Sequence, residues 1–380
     1  MNVAEQIVAQ LVDAGVHRIY GIVGDSLNPI VDAVRKTGGS KKGGIDWIHV
    51  RHEEAAAFAA SAEAQLTGKL AVCAGSCGPG NLHLINGLYD ANRTGAPVLA
   101  IASHIPSVQI GTTYFQETHP DRIFEECSVY NELISSAAQS PRTVNSAIRH
   151  AVGLGGVSVI TLPGDVSDLK AVEHVPTYAP ARPATLAPNA TDIEEAAALL
   201  NKADKVAIFA GAGVEGAHDE VIALADALKA PIGHSLRGKH FIQYDNPFDV
   251  GMTGLLGYGA AAEGMNDADV LILLGTDFPY DQFLPDTPTI QVDTHAEKLG
   301  RRTDVGLAIH AQVKPFIEAL LPHLRAGRSD SFLKAKIKKH SEIMHAPVGA
   351  YTRNVEKMRP IHPEYAAHLL NETAAKDAIF

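Results

Sequence analysis

The sequence predicts an α/β fold class: two successive parallel-sheet α/β domains, followed by the start of a truncated third. Three observations carry that expectation. Short β-branched, apolar runs alternate with helical-period stretches over most of the 380 residues, the pattern of parallel strands covered by helices on both faces. The alternation is interrupted by a connector containing Pro176, Pro180, Pro183 and Pro188, a composition that suits a semi-rigid linker, and it then restarts. Finally, the chain stops in mid-pattern.

In the first domain, residues 1–175, the strand Arg18–Val23 leads into the helix Leu27–Arg35, and Ile45–Val50 leads into Glu53–Leu66. The strand Leu70–Ala74 leads into the helix Asn81–Asn92, Pro97–Ser103 is a further strand, and the helical run Val144–Val152 precedes the buried strand Val157–Leu162. In the second, residues 190–324, helices at Asp192–Leu200 and Asp219–Leu228 alternate with strands at Lys205–Ala210, Ala268–Leu274 and Thr289–Val292. Residues 325–360, with Lys334, Lys336, Lys338 and Lys339, read as a charged connector. Residues 361–380 open a third unit: Pro363 sits in the first turn of a helix, and Asp377–Phe380 resembles a strand just begun.

Composition narrows the function. A net charge of -11 argues against nucleic acid as a partner. No stretch approaches the roughly 18 apolar residues of a membrane span, and residues 1–10 lack the basic and apolar regions of a signal peptide, so the expected location is cytoplasmic. Cys73, Cys77 and Cys127 cannot form a disulfide framework. They read as small buried thiols, since no His or Cys pair at zinc spacing accompanies them.

The stretch with the sharpest chemistry is Arg51-His52-Glu53-Glu54-Ala55-Ala56-Ala57-Phe58. An acid at a strand-to-helix corner, on a helix whose inner face is Ala and Phe, is costly to ionise, because desolvation raises a carboxyl pKa. Glu53 or Glu54 is therefore a candidate proton donor near neutral pH. The plainer reading is that both acids favour the positive end of a helix. Ligands of parallel sheets sit at strand C-termini, where Gly24 and Asp25, His52 and Glu53, and the loop Gly75–Gly80 all fall. After the strand Lys205–Ala210, Gly211-Ala212-Gly213-Val214-Glu215-Gly216 matches a dinucleotide-binding pattern. The acidic ribose partner expected about 20 residues on is absent, and Arg237, Gly238 and Lys239 stand there instead, which suits a diphosphate.

Seven pieces occur in order: Gly24–Asn28, Arg51–Glu54, Gly75–Asn81, Tyr114–Glu117, Leu236–Lys239, Gly251–Gly254 and Gly275–Tyr280. Together they resemble the thiamine-diphosphate and flavin-dependent pyruvate oxidases, most of all the bacterial quinone-reducing branch, from about residue 5 to Phe380. The resemblance implies a pyrimidine-binding domain followed by a Rossmann-like FAD-binding domain. It implies that Glu53 bonds the thiamine aminopyrimidine and acts in general acid-base catalysis. Gly24 and Asp25 then lie near the thiazolium and substrate, Gly78, Pro79 and Gly80 form the turn against the pyrimidine, and Phe115 and Gln116 meet flavin and substrate. Simple tight turns are the alternative for these glycines. The flavin is implied to rest on Arg237, on Thr253, Gly254, Leu255 and Leu256, on Thr276, Asp277, Phe278, Pro279 and Tyr280, and on Asp293. Where such relatives carry Gly-Asp near the end of this domain, this sequence has Ala311-Gln312.

The implied reaction is oxidative decarboxylation of pyruvate to acetate and carbon dioxide, with electrons passing to FAD and on to a quinone. The Mg2+ site for the diphosphate is implied to lie in the third domain, so that this chain alone is inactive. Relatives assemble their sites between subunits, which implies a homo-oligomer, a dimer of dimers, with peripheral membrane contact through a C-terminal segment. Two alternatives remain: an acetolactate-synthase-like keto-acid ligase, and a non-catalytic FAD-binding or oligomerisation module.

Overall fold

A computed structural model describes residues 1–173, 179, 184–345 and 349–378. The chain divides into two compact units, Met1–Arg182 and Pro183–Phe380.

The first unit is built on a parallel sheet of six strands: β1 (Arg18–Gly21), β2 (Asp46–His49), β3 (Ala71–Gly75), β4 (Val98–His104), β5 (Tyr130–Leu133) and β6 (Val157–Pro163). Their order is β2-β1-β3-β4-β6-β5. Every residue of β3, β4 and β6 is buried, whereas β2 and β5 are partly exposed edges. That is why the near-continuous apolar runs of the sequence occupy the centre. Strand β5 escapes the sequence reading because its polar, four-residue edge carries no such run. The helix Val3–Asp13 was also not anticipated, although Asn2 and Glu5 form a reciprocal capping box at its start.

The helix Glu53–Thr67 packs on the helix Pro79–Thr94 at close range. A Cβ at Gly87 would lie 2.5 Å from the Cβ of Ala57, so small residues on both faces are a steric necessity. Ala56, Ala57, Ala60 and Ala64 form the buried stripe. Phe58 corrects the expectation of an inner face of Ala and Phe: it is 40% exposed, because it falls off that i, i+3, i+4 stripe.

The second unit holds seven strands: β7 (Val206–Ala210), β8 (Ile232–His234), β9 (Asp249–Met252), β10 (Tyr258–Gly259), β11 (Val270–Leu274), β12 (Thr289–Asp293) and β13 (Leu307–His310). The order is β10-β9-β8-β7-β11-β12-β13, with only β10 antiparallel to its neighbour. Strands β8, β9, β10 and β13 are two to four residues long, too short to show a period. The segment read as a charged connector is otherwise than expected. It contains the helix Ser331–Ile343, with Leu333 and Lys336 buried. Lys336 Nζ lies 2.7 Å from a Glu263 oxygen and 2.5 Å from an Asp267 oxygen, so one lysine of the basic run is buried beneath two half-exposed acids.

The helix at Pro363 is present, spanning Pro363–Thr373. Asp377 and Ala378 are not in a strand, and the rest of that expected strand, like most of the Pro-rich linker, lies outside the described residues. Among the described residues no helix is long and apolar enough to cross a membrane.

Candidate functional site

In each sheet the strand order reverses at a central pair of strands, and crevices of parallel sheets open at such points, beyond the strand C-termini. In the first unit the reversal lies between β1 and β3, which are neighbours although their following connections run to opposite sides. The loops after these two strands therefore meet. Gly24 faces Ser76 so closely that a Cβ would stand 2.7 Å from the Ser76 Cβ. Ser26 Oγ and Ser76 Oγ lie 3.0 Å apart, and the Cys77 N–H donates to Ser26 Oγ at 3.1 Å. Hydroxyls thus stitch the two loops together.

Glu53 enters this crevice from the next strand. It is the first residue of its helix, and only 8% of it is exposed. A Cβ at Gly80 would lie 3.2 Å from Glu53 Oε1, so the glycine leaves the carboxyl one open face. On its other side the carboxyl meets His83, whose Nδ1 is 3.0 Å from Glu53 Oε2. Glu54 is a different group: half-buried, and bonded to Asn86. Of the two acids the structure buries only Glu53.

The turn Gly78-Pro79-Gly80 starts the helix Pro79–Thr94. Gly78 has φ +68°, and a Cβ there would lie 2.9 Å from the Cβ of Gln116. Gln116 itself has φ +83°, an uncommon conformation for a residue with a side chain. Its Oε1 accepts a weak bond from the Cys77 thiol at 3.5 Å. Glu117 holds this loop in place by accepting from the N–H groups of Gly111 and Tyr114, and the Gly111 bond keeps its carboxyl below the ordinary range. Gly24, Glu53, Gly78, Gly80 and Gln116 are therefore brought together. Asp25 is exposed in the short turn Asp25–Leu27, Pro79 is exposed on the helix start, and Phe115 stands 73% exposed at the loop tip. Sequence reading missed Ser26, Ser76, His83 and Glu117 as supports. His83 was legible only as one helical turn beyond Pro79.

All three cysteines are free and buried. Burial pushes the Cys73 thiol up to about 12 and that of Cys127 to about 11, which fits inert packing.

In the second unit the reversal lies between β7 and β11. The glycine-rich loop after β7 does not form the expected phosphate cradle. The Gly211 N–H donates to Leu274 O at 2.9 Å, and the Gly213 N–H donates to Gly275 O at 2.9 Å. A Cβ at Gly213 would lie 2.6 Å from the Cα of Gly275. These glycines serve backbone-to-backbone packing, with two of their N–H groups spent inside the protein.

The other flavin residues implied by the resemblance gather at the C-terminal edge of this sheet. Arg237 follows β8, in the first turn of a helix capped by Ser235. Thr253 and Gly254 follow β9; Thr253 is buried, and Gly254 has φ +114°. A Cβ at Gly254 would lie 3.3 Å from Phe278 and 3.5 Å from Tyr280, which links the loops after β9 and β11. Thr276 and Phe278 are buried, while Pro279, Leu255 and Leu256 are exposed. Asp293 ends β12, is 7% exposed, and accepts the His295 N–H at 2.9 Å. Asp277 is engaged elsewhere, in an ion pair with Arg301 and a second with Arg302 at 3.5 Å. Gln312 exchanges two bonds with the backbone of Leu186, at 2.9 and 3.2 Å.

Residues 1–123 match the thiamine pyrophosphate enzyme N-terminal TPP binding domain, and residues 193–320 match the central domain of the same enzymes. An uncharacterized 42.6 kDa protein of Pseudomonas amyloderamosa is 54% identical over 88% of this chain and 84% of its own length. The putative thiamine pyrophosphate-containing protein YdaP of Bacillus subtilis is 36% identical over 99% of this chain and 65% of its own. Pyruvate oxidase of Lactiplantibacillus plantarum is 30% identical over 96% of this chain, which spans 61% of that enzyme. Acetolactate synthases match at 29 to 31%. The chain belongs to the thiamine pyrophosphate-dependent enzyme family, and carries that family's N-terminal and central domains.

Proposed function

We propose that this chain supplies the aminopyrimidine-binding and flavin-binding parts of an enzyme that oxidatively decarboxylates pyruvate to acetate, with FAD passing the electrons to a quinone. The observation that carries this reading is the buried Glu53 carboxyl, set at a switch-point crevice and left one open face by Gly80. Thiamine diphosphate supplies, when bound, the carbanion that 2-keto acid decarboxylation requires. Glu53 holds and returns a proton at a ring nitrogen of that group, a role suited to a carboxyl shielded from water. Gly78 and Gly80 keep the approach free of side chains, and Gln116, close beside Gly78 in a loop braced by Glu117, meets substrate.

For FAD, Thr253, Gly254, Thr276, Phe278, Tyr280, Asp293 and Arg237 form the cleft, with Leu255, Leu256 and Pro279 at its rim. Asp277 belongs to this set by position, although its carboxylate is already paired. Mg2+ and the diphosphate belong to a third α/β domain, begun at residue 361, and the complete site forms in a homo-oligomer, a dimer of dimers with peripheral membrane contact.

A second reading, ligation of two keto acids as in acetolactate synthases, is supported by relatives of that name at the same level of identity as the oxidase. Product analysis of the active protein with pyruvate separates them: acetate formed with reduction of a quinone supports the first, acetolactate without it the second. Cofactor titration into this chain tests the division of labour. Flavin uptake, followed by absorbance, should exceed that of thiamine diphosphate, followed by calorimetry with Mg2+. A preformed cleft binds its ligand, whereas the pyrimidine end alone leaves a diphosphate uncompensated. Tight, Mg2+-dependent thiamine diphosphate binding without flavin uptake would overturn the assignment of the second unit.

A further inference from the structure

We infer that His52, Glu53 and His83 form a binding site for a divalent transition-metal ion of the zinc class. One nitrogen from each ring and one carboxylate oxygen all lie within 4.8 Å of one another. Among the described residues no other group of three His, Cys, Asp or Glu side chains converges in this way. Two imidazoles and one carboxylate are the donor set of open zinc sites, in which water or substrate fills the remaining position.

The three side chains are set by elements that do not need to move. Glu53 is the first residue of the helix Glu53–Thr67, with His52 as its N-cap, and His83 lies in the second turn of the helix Pro79–Thr94. The Gly87–Ala57 contact locks those helices together. His83 Nδ1 and Glu53 Oε2 are 3.0 Å apart, close to the separation of two ligands on one tetrahedral ion with bonds of about 2.0–2.2 Å. The rings of His52 and His83 stack with centroids 4.3 Å apart, so side-chain rotation alone brings the second nitrogen in. His52 Nδ1 accepts the Glu54 N–H at 3.2 Å; ligation through Nε2 exchanges that cap bond for an Nδ1 proton turned toward the Glu54 carboxylate, 3.8 Å away. That is the carboxylate–histidine–metal arrangement that fixes a tautomer and raises ligand basicity.

Access is uneven in the way an exchangeable site requires. The two histidine side chains are 49% and 44% exposed, and Glu53 is 10% exposed. An ion enters from the histidine side and meets the buried carboxylate last. The ion takes Glu53 Oε2 while the open face lies at Oε1, but a carboxylate bound to an ion cannot hold the proton that the thiamine reading requires of it, so metal and cofactor exclude one another. That consequence rests on the thiamine reading; the metal site does not, and its test uses the metal alone.

The chain, stripped with a chelator, is titrated with Zn2+ by calorimetry and with Co2+ by visible absorption. One ion should bind, with the intense bands of a four-coordinate Co2+ displaced by Zn2+. His83→Gln and Glu53→Gln should each weaken binding by about tenfold or more and abolish those bands. His17→Gln, at an exposed histidine away from the trio, should leave both unchanged. No uptake by the unaltered chain overturns the inference, as does binding that His83→Gln leaves intact. Weak, octahedral-type Co2+ absorption alone would also overturn it, because it marks a hydrated surface ion.

Discussion

The two units solve the same topological problem in opposite ways. Each has a mainly parallel sheet whose order reverses at a central pair of strands, and in each the loops after those two strands must meet. In the first unit the meeting is made by side chains, Ser26 with Ser76, under a glycine. In the second it is made by backbone, Gly211 and Gly213 against Leu274 and Gly275. The first arrangement leaves room beside a buried acid. The second packs its loops backbone to backbone, and the residues that the resemblance assigns to flavin stand on the loops after β8, β9, β11 and β12. A glycine pattern after a strand therefore marks close approach, and only the hydrogen-bond partners of its N–H groups tell whether a phosphate or another backbone is what approaches.

The largest expected effect breaks the first crevice chemically. In the active protein, Glu53→Gln should lower pyruvate turnover by on the order of a hundredfold or more, the scale of a lost general acid-base group. Glu54→Gln, on a half-buried carboxylate bonded to Asn86, should do much less. Steady-state kinetics on both, with circular dichroism as a check on folding, decides it; equal losses would remove Glu53 from its role.

The next effect breaks the second crevice sterically. Gly213→Ala places a methyl against the Gly275 backbone, which no rotamer can relieve, and should cost about 3 kcal/mol, the upper range for overpacking. Gly24→Ala meets the Ser76 side chain, whose Oγ can turn aside although its Cβ, 2.7 Å away, cannot, and should cost less, about 2 kcal/mol. Urea denaturation of both variants measures the pair. If Gly24→Ala proves the costlier, side-chain stitching is the more rigid device.

What was legible in the sequence follows the same physics. Long, buried strands such as those at Leu70–Ala74 and Val157–Leu162 announce themselves, since burial on both faces demands unbroken apolar runs. Edges such as β5, β10 and β13 do not. Glu53 was legible because an acid between an apolar strand and an Ala-rich helix is unusual. His83 was not, because nothing local distinguishes a histidine facing a carboxylate 30 residues away from one facing water. Gly211–Gly216 is only a weak signal in sequence, because the pattern records the need for small residues and leaves their neighbour unnamed. Lys336 was hidden inside a basic run, and only the opposing Glu263 and Asp267 explain its burial. Lys336→Met should cost about 1 kcal/mol, a modest figure because both acids are half exposed and regain water; a change in the denaturation midpoint of unit two alone would show it.

The smallest effect separates the units by acid sensitivity. Burial pushes the Asp249 carboxyl up, but His234 beside it, the Gly251 N–H at 3.1 Å and His340 nearby outweigh that and hold it below its ordinary 3.8. A depressed folded-state value means stability that is present above the ordinary value and lost as pH falls through the folded one. In the first unit the carboxylates held low lie at or near the surface, Glu5 and Asp32 through ion pairs, Asp46 and Glu117 through hydrogen bonds, and Asp165, against its burial, through hydrogen bonds to Ser107, and such groups carry little stability. Acidification below about pH 4 should therefore loosen the second unit first. Asp249→Asn, which removes the titrating group, should narrow the gap. Amide hydrogen exchange followed separately in β8 and β9 and in β3 and β4 across that range is the measurement. Simultaneous loss of protection in both sheets would mean that the Asp249 cluster does not set the acid limit of its unit.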